Sequence, residues 1–251
     1  TNFDAENEVY AVNTVAHFHM HEPIRVQVGQ LVQNAGADRF SLADTVGCLT
    51  PTKTKELVNC IVSELDIPVH VHCHNDFGMA TANALSALEA GAQCVDVAVN
   101  GLGERCGLPP LAEVVAALSN IYKINGNWDL GMIPELTDLV DSFSNMDSNA
   151  NQPIVGENAF THKAGLHVKA VVKEPKSYEA ISPESVKRKR HFVIDKFTGK
   201  SALENRLVKM GVKIQNQHLE VILLEIKMHP EKVSWDDDSL ITLLKSMGIK
   251  S

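Results

Sequence analysis

Three histidines, His70, His72 and His74, alternate along one short segment of the chain and are followed at once by Asn75-Asp76. Successive side chains of a β-strand point to opposite faces, so these three imidazoles share one face. Neutral imidazole is a good ligand for divalent Zn, Mn, Co or Fe. A turn and a helical segment over residues 79–90 follow, which places the histidines at the C-terminal end of a strand. The pattern favours a metal site over its alternative, a strand whose imidazoles only form hydrogen bonds inside the core.

The elements that must position these histidines repeat along the first half of the chain. Short apolar segments alternate there with longer helical ones, which is typical of a parallel α/β sheet with right-handed crossovers. Beyond about residue 126 the pattern is mostly helical and lacks buried strands. The predicted strands cover 38–45, 67–74 and 93–99, and the predicted helices cover 24–35, 51–65, 80–90, 110–121, 132–143, 201–210, 216–227 and 238–247.

Composition narrows the class of partner. The 251 residues carry a formal net charge of -8, which argues against nucleic acid or an anionic membrane as the main partner. No apolar run approaches the roughly 18–20 residues that span a membrane, and the polar start of the chain does not resemble a signal peptide. The five cysteines are scattered without a CxxC pair, which predicts reduced thiols in a cytoplasmic protein.

Four motifs in a fixed order carry a family resemblance. Together they resemble the α-isopropylmalate synthase and homocitrate synthase family, metal-dependent TIM-barrel acyltransferases that condense acetyl-CoA with a 2-oxo acid. The resemblance runs from about Phe3 to Ile249, and the stretch after His162 together with Tyr178-Glu179 looks most like homocitrate synthase. The motifs are LADTVG at 42–47, HCHND at 72–76, NGLGERCG at 100–107 and FTHKAGLH at 160–167.

The resemblance implies a fold. The family has a (β/α)8 barrel followed by small helical subdomains, usually in a homodimer, and by this resemblance the chain begins at the fifth strand. We therefore expect an α/β protein with the C-terminal half of a (β/α)8 TIM barrel in residues 1–125 and helical linker, lid and C-terminal subdomain in residues 126–251. The family's first-strand motif, an acidic metal ligand beside an Arg, is absent. We expect a partial synthase, either truncated or paired with a separate chain that carries the N-terminal half-barrel.

The resemblance also implies site residues. It implies a divalent metal (Zn, Mg, Mn or Co) and a threonine that binds the substrate. It also implies a catalytic group that takes a proton from the acetyl methyl of acetyl-CoA, and a histidine of near-neutral pKa is suited to this proton transfer. The metal ligands are His72 and His74, the substrate-binding residue is Thr45, and the catalytic residues are His167, its partner Tyr178, and Glu6.

Other residues near these motifs have weaker expectations. His70 matches no family ligand and is expected to support the site or to pack. Glu104 and Arg105 are candidates for a substrate contact or for a structural ion pair. His162 and Lys163 resemble supports of the lid.

Two positions depart from the homocitrate synthase pattern. Asn2 and Asp4 stand where the family usually has Arg and Ser that hold the carboxylate of the oxo acid. Asn in place of Arg removes a charge-assisted bidentate contact, and Asp adds repulsion. The expected substrate is 2-oxoglutarate, giving homocitrate in a lysine biosynthesis type of reaction, and this departure weakens that expectation.

Several alternatives stay open at this point. Within the family they are 2-isopropylmalate synthase and citramalate synthase, and on the same scaffold a lyase that cleaves a C–C bond. An alternative of another class is a non-catalytic fragment or partner subunit that keeps the fold and the dimer contacts. A half-barrel has open strand edges, so we expect the isolated chain to aggregate or dimerise.

Overall fold

The computed structural model describes residues 22–162, 170–171, 173–212, 214–232 and 234–249. The described residues divide into two compact units. The first comprises the residues up to Trp128 together with Glu135–Ser148, and the second comprises Asp129–Pro134 and the residues from Asn149 onward. The domain boundary expected after residue 125 remains a prediction.

Some of the predicted functional residues lie outside the described part of the chain. These are Glu6 and His167 among the catalytic candidates, Lys163 of the predicted lid, and the two departures Asn2 and Asp4. Their roles stay predictions.

In the first unit, helices alternate with three parallel strands in the order β1-β2-β3. This confirms the predicted α/β class, and the helix ends fall within two residues of the predicted ones. The elements are α1 Glu22–Asn34, β1 Phe40–Asp44, α2 Pro51–Glu64, β2 Val69–Cys73, α3 Ala80–Glu89, β3 Cys94–Val95, α4 Leu111–Asn120 and α5 Ile133–Ser144, which belongs to this unit from Glu135 onward.

The third strand is shorter than the predicted segment 93–99. Only Cys94–Val95 pairs with β2. Beyond it the chain forms an isolated bridge from Ala98 to Pro110 and then a 3-10 turn over Val99–Gly101, in which Asn100 has a φ of 58°. The apolar alternation continues through this stretch, but its backbone leaves the ladder.

Alternating burial along β1 and β2 separates two faces of the sheet. Leu42 and Val71 belong to the buried side, which packs with Val58 and Ile61 of α2 into one apolar core. Thr50 caps α2 by accepting a hydrogen bond from the Lys53 backbone N–H, and a proline follows at the first helical position. The opposite face of the sheet carries Ser41, His70 and His72.

The second unit has its own apolar core, formed by three helices and the segments between them. It also contains a short parallel pair of strands, which the mostly helical sequence pattern did not predict. Among the described residues, no helix is long and apolar enough to cross a membrane. The elements are β4 Thr161–His162, β5 His191–Phe192, α6 Lys200–Lys209, α7 Asn216–Met228 and α8 Asp237–Ser246.

Candidate functional site

The two predicted metal ligands lie together at the C-terminal end of β2. The Nε2 atoms of His72 and His74 are 3.3 Å apart, and the two rings meet edge to face. With metal–nitrogen bonds of about 2.1 Å and bond angles of roughly 90–110°, two nitrogens on one cation lie about 3.0–3.4 Å apart. The observed separation therefore fits two adjacent ligands of one divalent cation.

His72 is held from its other ring nitrogen. Its Nδ1 lies 2.6 Å from Oδ2 of Asp96, which directly follows β3. A carboxylate only accepts hydrogen bonds, so Nδ1 carries the proton and Nε2 presents its lone pair towards His74. Carboxylates commonly orient metal-binding histidines in this way.

His70 contacts the same carboxylate. Its Nε2 lies 2.9 Å from Oδ1 of Asp96, an ion-pair distance without the alignment of a hydrogen bond. Its Nδ1 lies 3.0 Å from Oγ of Ser41 on the neighbouring strand. His70, followed by His72, keeps the pKa of the Asp96 carboxyl well below its usual range. Asp96 is therefore ionised and bridges two histidines.

His74 is largely buried, with 9% of its surface exposed. Burial is the main cause that lowers its pKa, with further contributions from the charge of Arg105 and from His72. Its Nδ1 is buried and has no hydrogen-bond partner among the described residues. A lowered pKa keeps the imidazole neutral, which is the form that binds metal.

The described residues supply two ligands for a cation at this place. They contain no group of three or more His, Cys, Asp or Glu side chains arranged around one metal position. The spacing of the two Nε2 atoms, the orientation of His72 and the neutral state of His74 nevertheless fit a divalent cation.

Arg105 joins the loops that follow the three strands. Its Nε and Nη2 donate to the two carboxylate oxygens of Asp76 at 2.8 and 2.9 Å, and Nη2 also donates to the Thr45 backbone carbonyl at 2.8 Å. This pairing raises the pKa of Arg105 and lowers the pKa of Asp76. Glu104 lies 3.5 Å from Nη1 of Arg105. Of the two expectations for Arg105, the structure shows an ion pair, and its main partner is Asp76.

The loop that carries Thr45 is held on both sides. The carboxylate of Asp44, which is 4% exposed, accepts hydrogen bonds from the backbone N–H groups of Cys48 and Leu49. The side-chain amide of the buried Asn83 donates to the Leu49 carbonyl. Thr45 itself is half-buried at the end of β1. The predicted substrate-binding threonine thus lies on a loop whose backbone is fixed, at the same edge of the sheet as the histidines.

In the second unit, a buried carboxylate follows the predicted catalytic Tyr178. Glu179, whose side chain is 5% exposed, accepts two hydrogen bonds from Arg190, at 2.5 and 2.7 Å, and lies 3.2 Å from Nε2 of His162. Arg190 is the main cause that lowers the pKa of Glu179. Tyr178 is exposed. This cluster ties the segment that carries Tyr178 to the end of β4.

Sequence reasoning assigned no role to several residues of these networks, among them Asp96, Glu179 and Arg190. A signal for Asp96 was present, because it is an acidic residue in an apolar segment that follows the histidine strand by one helix. Arg190 belongs to the basic run at 187–191, a pattern that predicts an exposed surface, and its partner Glu179 lies eleven positions away.

Family models match both parts of the chain. The HMGL-like family model matches residues 9–140, which is about half of the chain. A second model, the homocitrate synthase post-HMGL domain-like family, matches residues 154–234. The two matches follow each other in the order of the two units described above.

Curated relatives are similar over most of the chain. The homocitrate synthases of Sulfurisphaera tokodaii and of Sulfolobus acidocaldarius are each 43% identical over 223 residues, which cover 88% of this chain and 48% and 47% of those proteins. The homocitrate synthase of Saccharolobus solfataricus is 42% identical over the same share of this chain and 48% of its own length. The chain spans about half the length of the curated relatives that it matches.

Proposed function

Since the chain belongs to the HMGL-like family, we propose that it carries the metal-binding part of a homocitrate synthase, an acyltransferase that condenses acetyl-CoA with 2-oxoglutarate. The observation that carries this proposal is the 3.3 Å separation of the His72 and His74 Nε2 atoms at the end of a parallel strand. The relatives that bear this name, and the post-HMGL domain over residues 154–234, support the choice of substrate.

Metal binding and substrate binding are assigned to different residues of the site. His72 and His74 would hold a divalent cation through their Nε2 atoms, and a bound cation would polarise the carbonyl group of the oxo acid. The hydroxyl of Thr45 donates to a substrate carboxylate from the loop that Arg105 and Asp44 fix. Because this loop is already ordered, little conformational freedom is lost when substrate binds.

The proton is removed by residues for which we rely on the family resemblance. His167, supported by Tyr178 and Glu6, takes a proton from the acetyl methyl group, whose carbon then forms a bond to the oxo carbon. Water later cleaves the thioester and releases the CoA thiol. We place this activity in a cytoplasmic homodimer.

Release of the CoA thiol tests the proposal. We would purify the protein together with any chain that accompanies it, add Mn²⁺ or Zn²⁺, and follow thiol formation from acetyl-CoA with 2-oxoglutarate, 2-oxoisovalerate or pyruvate. We expect release with 2-oxoglutarate, at least a hundredfold loss in the double variant His72→Ala/His74→Ala, and no change in His191→Ala, whose residue is exposed in the second unit.

Two results would contradict the proposal in different ways. Release with 2-oxoisovalerate or pyruvate alone would reassign the oxo acid to that of an isopropylmalate or citramalate synthase. No release with any of the three oxo acids, from a folded protein with metal present, would favour a non-catalytic subunit.

A further inference from the structure

We propose that Asp96 is a positioning residue that holds His70 and His72 at the same time and so keeps the Nε2 lone pair of His72 directed at the metal position. The inference rests on the proposed function for the presence of that metal. It assigns a role to Asp96, to His70 and to Ser41, none of which is itself a metal ligand.

With both imidazoles neutral, each ring of the cluster carries one proton, and the contacts indicate which nitrogen bears it. A carboxylate only accepts hydrogen bonds, so Nδ1 of His72, which lies 2.6 Å from Asp96, must donate its N–H to it. Nε2 of His70 lies 2.9 Å from the other carboxylate oxygen without the alignment of a hydrogen bond, and the protonated form of this nitrogen is the one that the oxygen attracts. The remaining nitrogen of His70 is then an acceptor, and the Ser41 hydroxyl donates to it at 3.0 Å. The same assignment leaves Nε2 of His72 without a proton.

The register of the sheet fixes this arrangement in the backbone. Ser41 pairs with His70 across β1 and β2, and His70 pairs with Cys94 across β2 and β3. Two residues further along the chain, His72 therefore lies beside Asp96, which directly follows β3 and whose backbone N–H donates to the Val71 carbonyl at 3.0 Å. Side chains two apart on a strand share a face, so all the members of the cluster meet on the side opposite the apolar core.

Loss of the carboxylate should affect the metal site through the tautomer of His72. An Asn at position 96 has an acceptor oxygen on one side and an NH₂ donor group on the other, so it can no longer offer each ring a separate acceptor oxygen. His72 is then free to carry its proton on Nε2, the atom that faces His74, and this form does not bind a cation. Removal of such supporting groups typically lowers metal affinity about 10–100-fold.

Two measurements on the 251-residue chain test this inference. The first is the affinity for Co²⁺, followed by its visible absorption, in the wild type, in Asp96→Asn and in the control Asp38→Asn, whose residue is exposed and precedes β1. The second is the tautomer of His72 in the metal-free protein, read from long-range ¹H–¹⁵N NMR of labelled histidine. We expect about 10–100-fold weaker Co²⁺ binding in Asp96→Asn, unchanged binding in Asp38→Asn, and a His72 proton on Nδ1 in the wild type only.

A second variant guards against a folding defect in Asp96→Asn. Ser41→Ala removes the donor to His70 and leaves the carboxylate in place, so we expect a smaller loss of Co²⁺ affinity in a protein of normal thermal stability. Affinities of Asp96→Asn and Ser41→Ala within twofold of the wild type, or a wild-type His72 with its proton on Nε2, would overturn the inference. A wild type that binds no Co²⁺ would overturn it as well.

Failure of this inference and failure of the proposed function give different results. If thiol release is absent but Co²⁺ binding depends on Asp96, the acyltransferase proposal fails and the role of Asp96 stands. If thiol release is normal but Asp96→Asn changes neither the affinity nor the tautomer, only the role of Asp96 fails.

Discussion

Replacement of Gly47 by alanine should disrupt the contact between the loops after β1 and β2. Gly47 has a φ of +69°, and a Cβ added to it would lie 2.2 Å from Oδ2 of Asp76. That oxygen is the acceptor for Nη2 of Arg105. The variant therefore combines two effects, a backbone conformation that L side chains disfavour and an overlap with a carboxylate that is already held.

A second glycine separates these two effects. Gly78 has a φ of +71°, and a Cβ added there would meet no atom within 4 Å. Both Gly→Ala variants should share the cost of a left-handed backbone, about 1–2 kcal/mol, and the smaller gain of about 0.4–1 kcal/mol from a less flexible unfolded chain. Only Gly47→Ala should add the cost of overpacking, about 1–3 kcal/mol.

Denaturant unfolding of the two variants measures the difference. We expect Gly47→Ala to lower the free energy of unfolding by about 1–3 kcal/mol more than Gly78→Ala does. Displacement of Asp76 should also release Arg105, so the chemical shift of the Arg105 Nε–H should move in Gly47→Ala and stay in place in Gly78→Ala. Equal losses of stability in the two variants, with an unmoved Arg105 signal, would refute this reading of the loop.

Three further predictions concern the buried ionisable groups. Arg190 lowers the pKa of Glu179 below its unfolded value of 4.5, so the carboxylate should stabilise the fold above that pH and lose this effect as the pH falls through the lowered pKa. The urea midpoint of Glu179→Gln should therefore fall less between pH 5 and pH 3 than the midpoint of the wild type. Parallel curves of midpoint against pH would contradict this prediction. The Arg190→Met variant leaves the buried Glu179 carboxylate without its cation, so the free energy of unfolding of this variant should fall by about 3 kcal/mol. The control Arg206→Met removes an ion pair nearer the surface and should lose at most about 1 kcal/mol. Burial raises the pKa of the Cys73 thiol to about 12. Iodoacetamide at pH 8 should therefore label the exposed Cys106 and leave Cys73 unmodified until the chain is unfolded. Labelling of Cys73 in the folded protein, detected by peptide mass spectrometry, would contradict this prediction.

The elements of the first unit were predictable because their signals are local. Pro51 with Thr50 before it marks the start of α2, and the alternation of apolar residues with histidines marks β2. The prediction for β3 extended too far because the same apolar alternation continues past Val95, where the backbone leaves the sheet. Alternation of apolar residues predicts which face of the sheet each side chain takes, but the number of residues that pair in the sheet depends on the neighbouring strand.

The metal ligands of the candidate site were predictable from the sequence, but the residues that hold them were not. The reason is that the ligands are close together in the sequence, whereas the supporting residues are far from them. His72 and His74 are two positions apart, so strand geometry alone brings them to one face. Their support comes from Asp96, 24 positions from His72, and the loop beside them is held by Arg105, 60 positions from Thr45. Such pairs exist only once the sheet order and register are set, since a shift by one residue would turn Asp96 to the apolar side. A site whose chemistry is encoded locally therefore depends for its geometry on the whole parallel sheet, and variants of Asp96 or Gly47 should affect the site even though neither residue is a metal ligand.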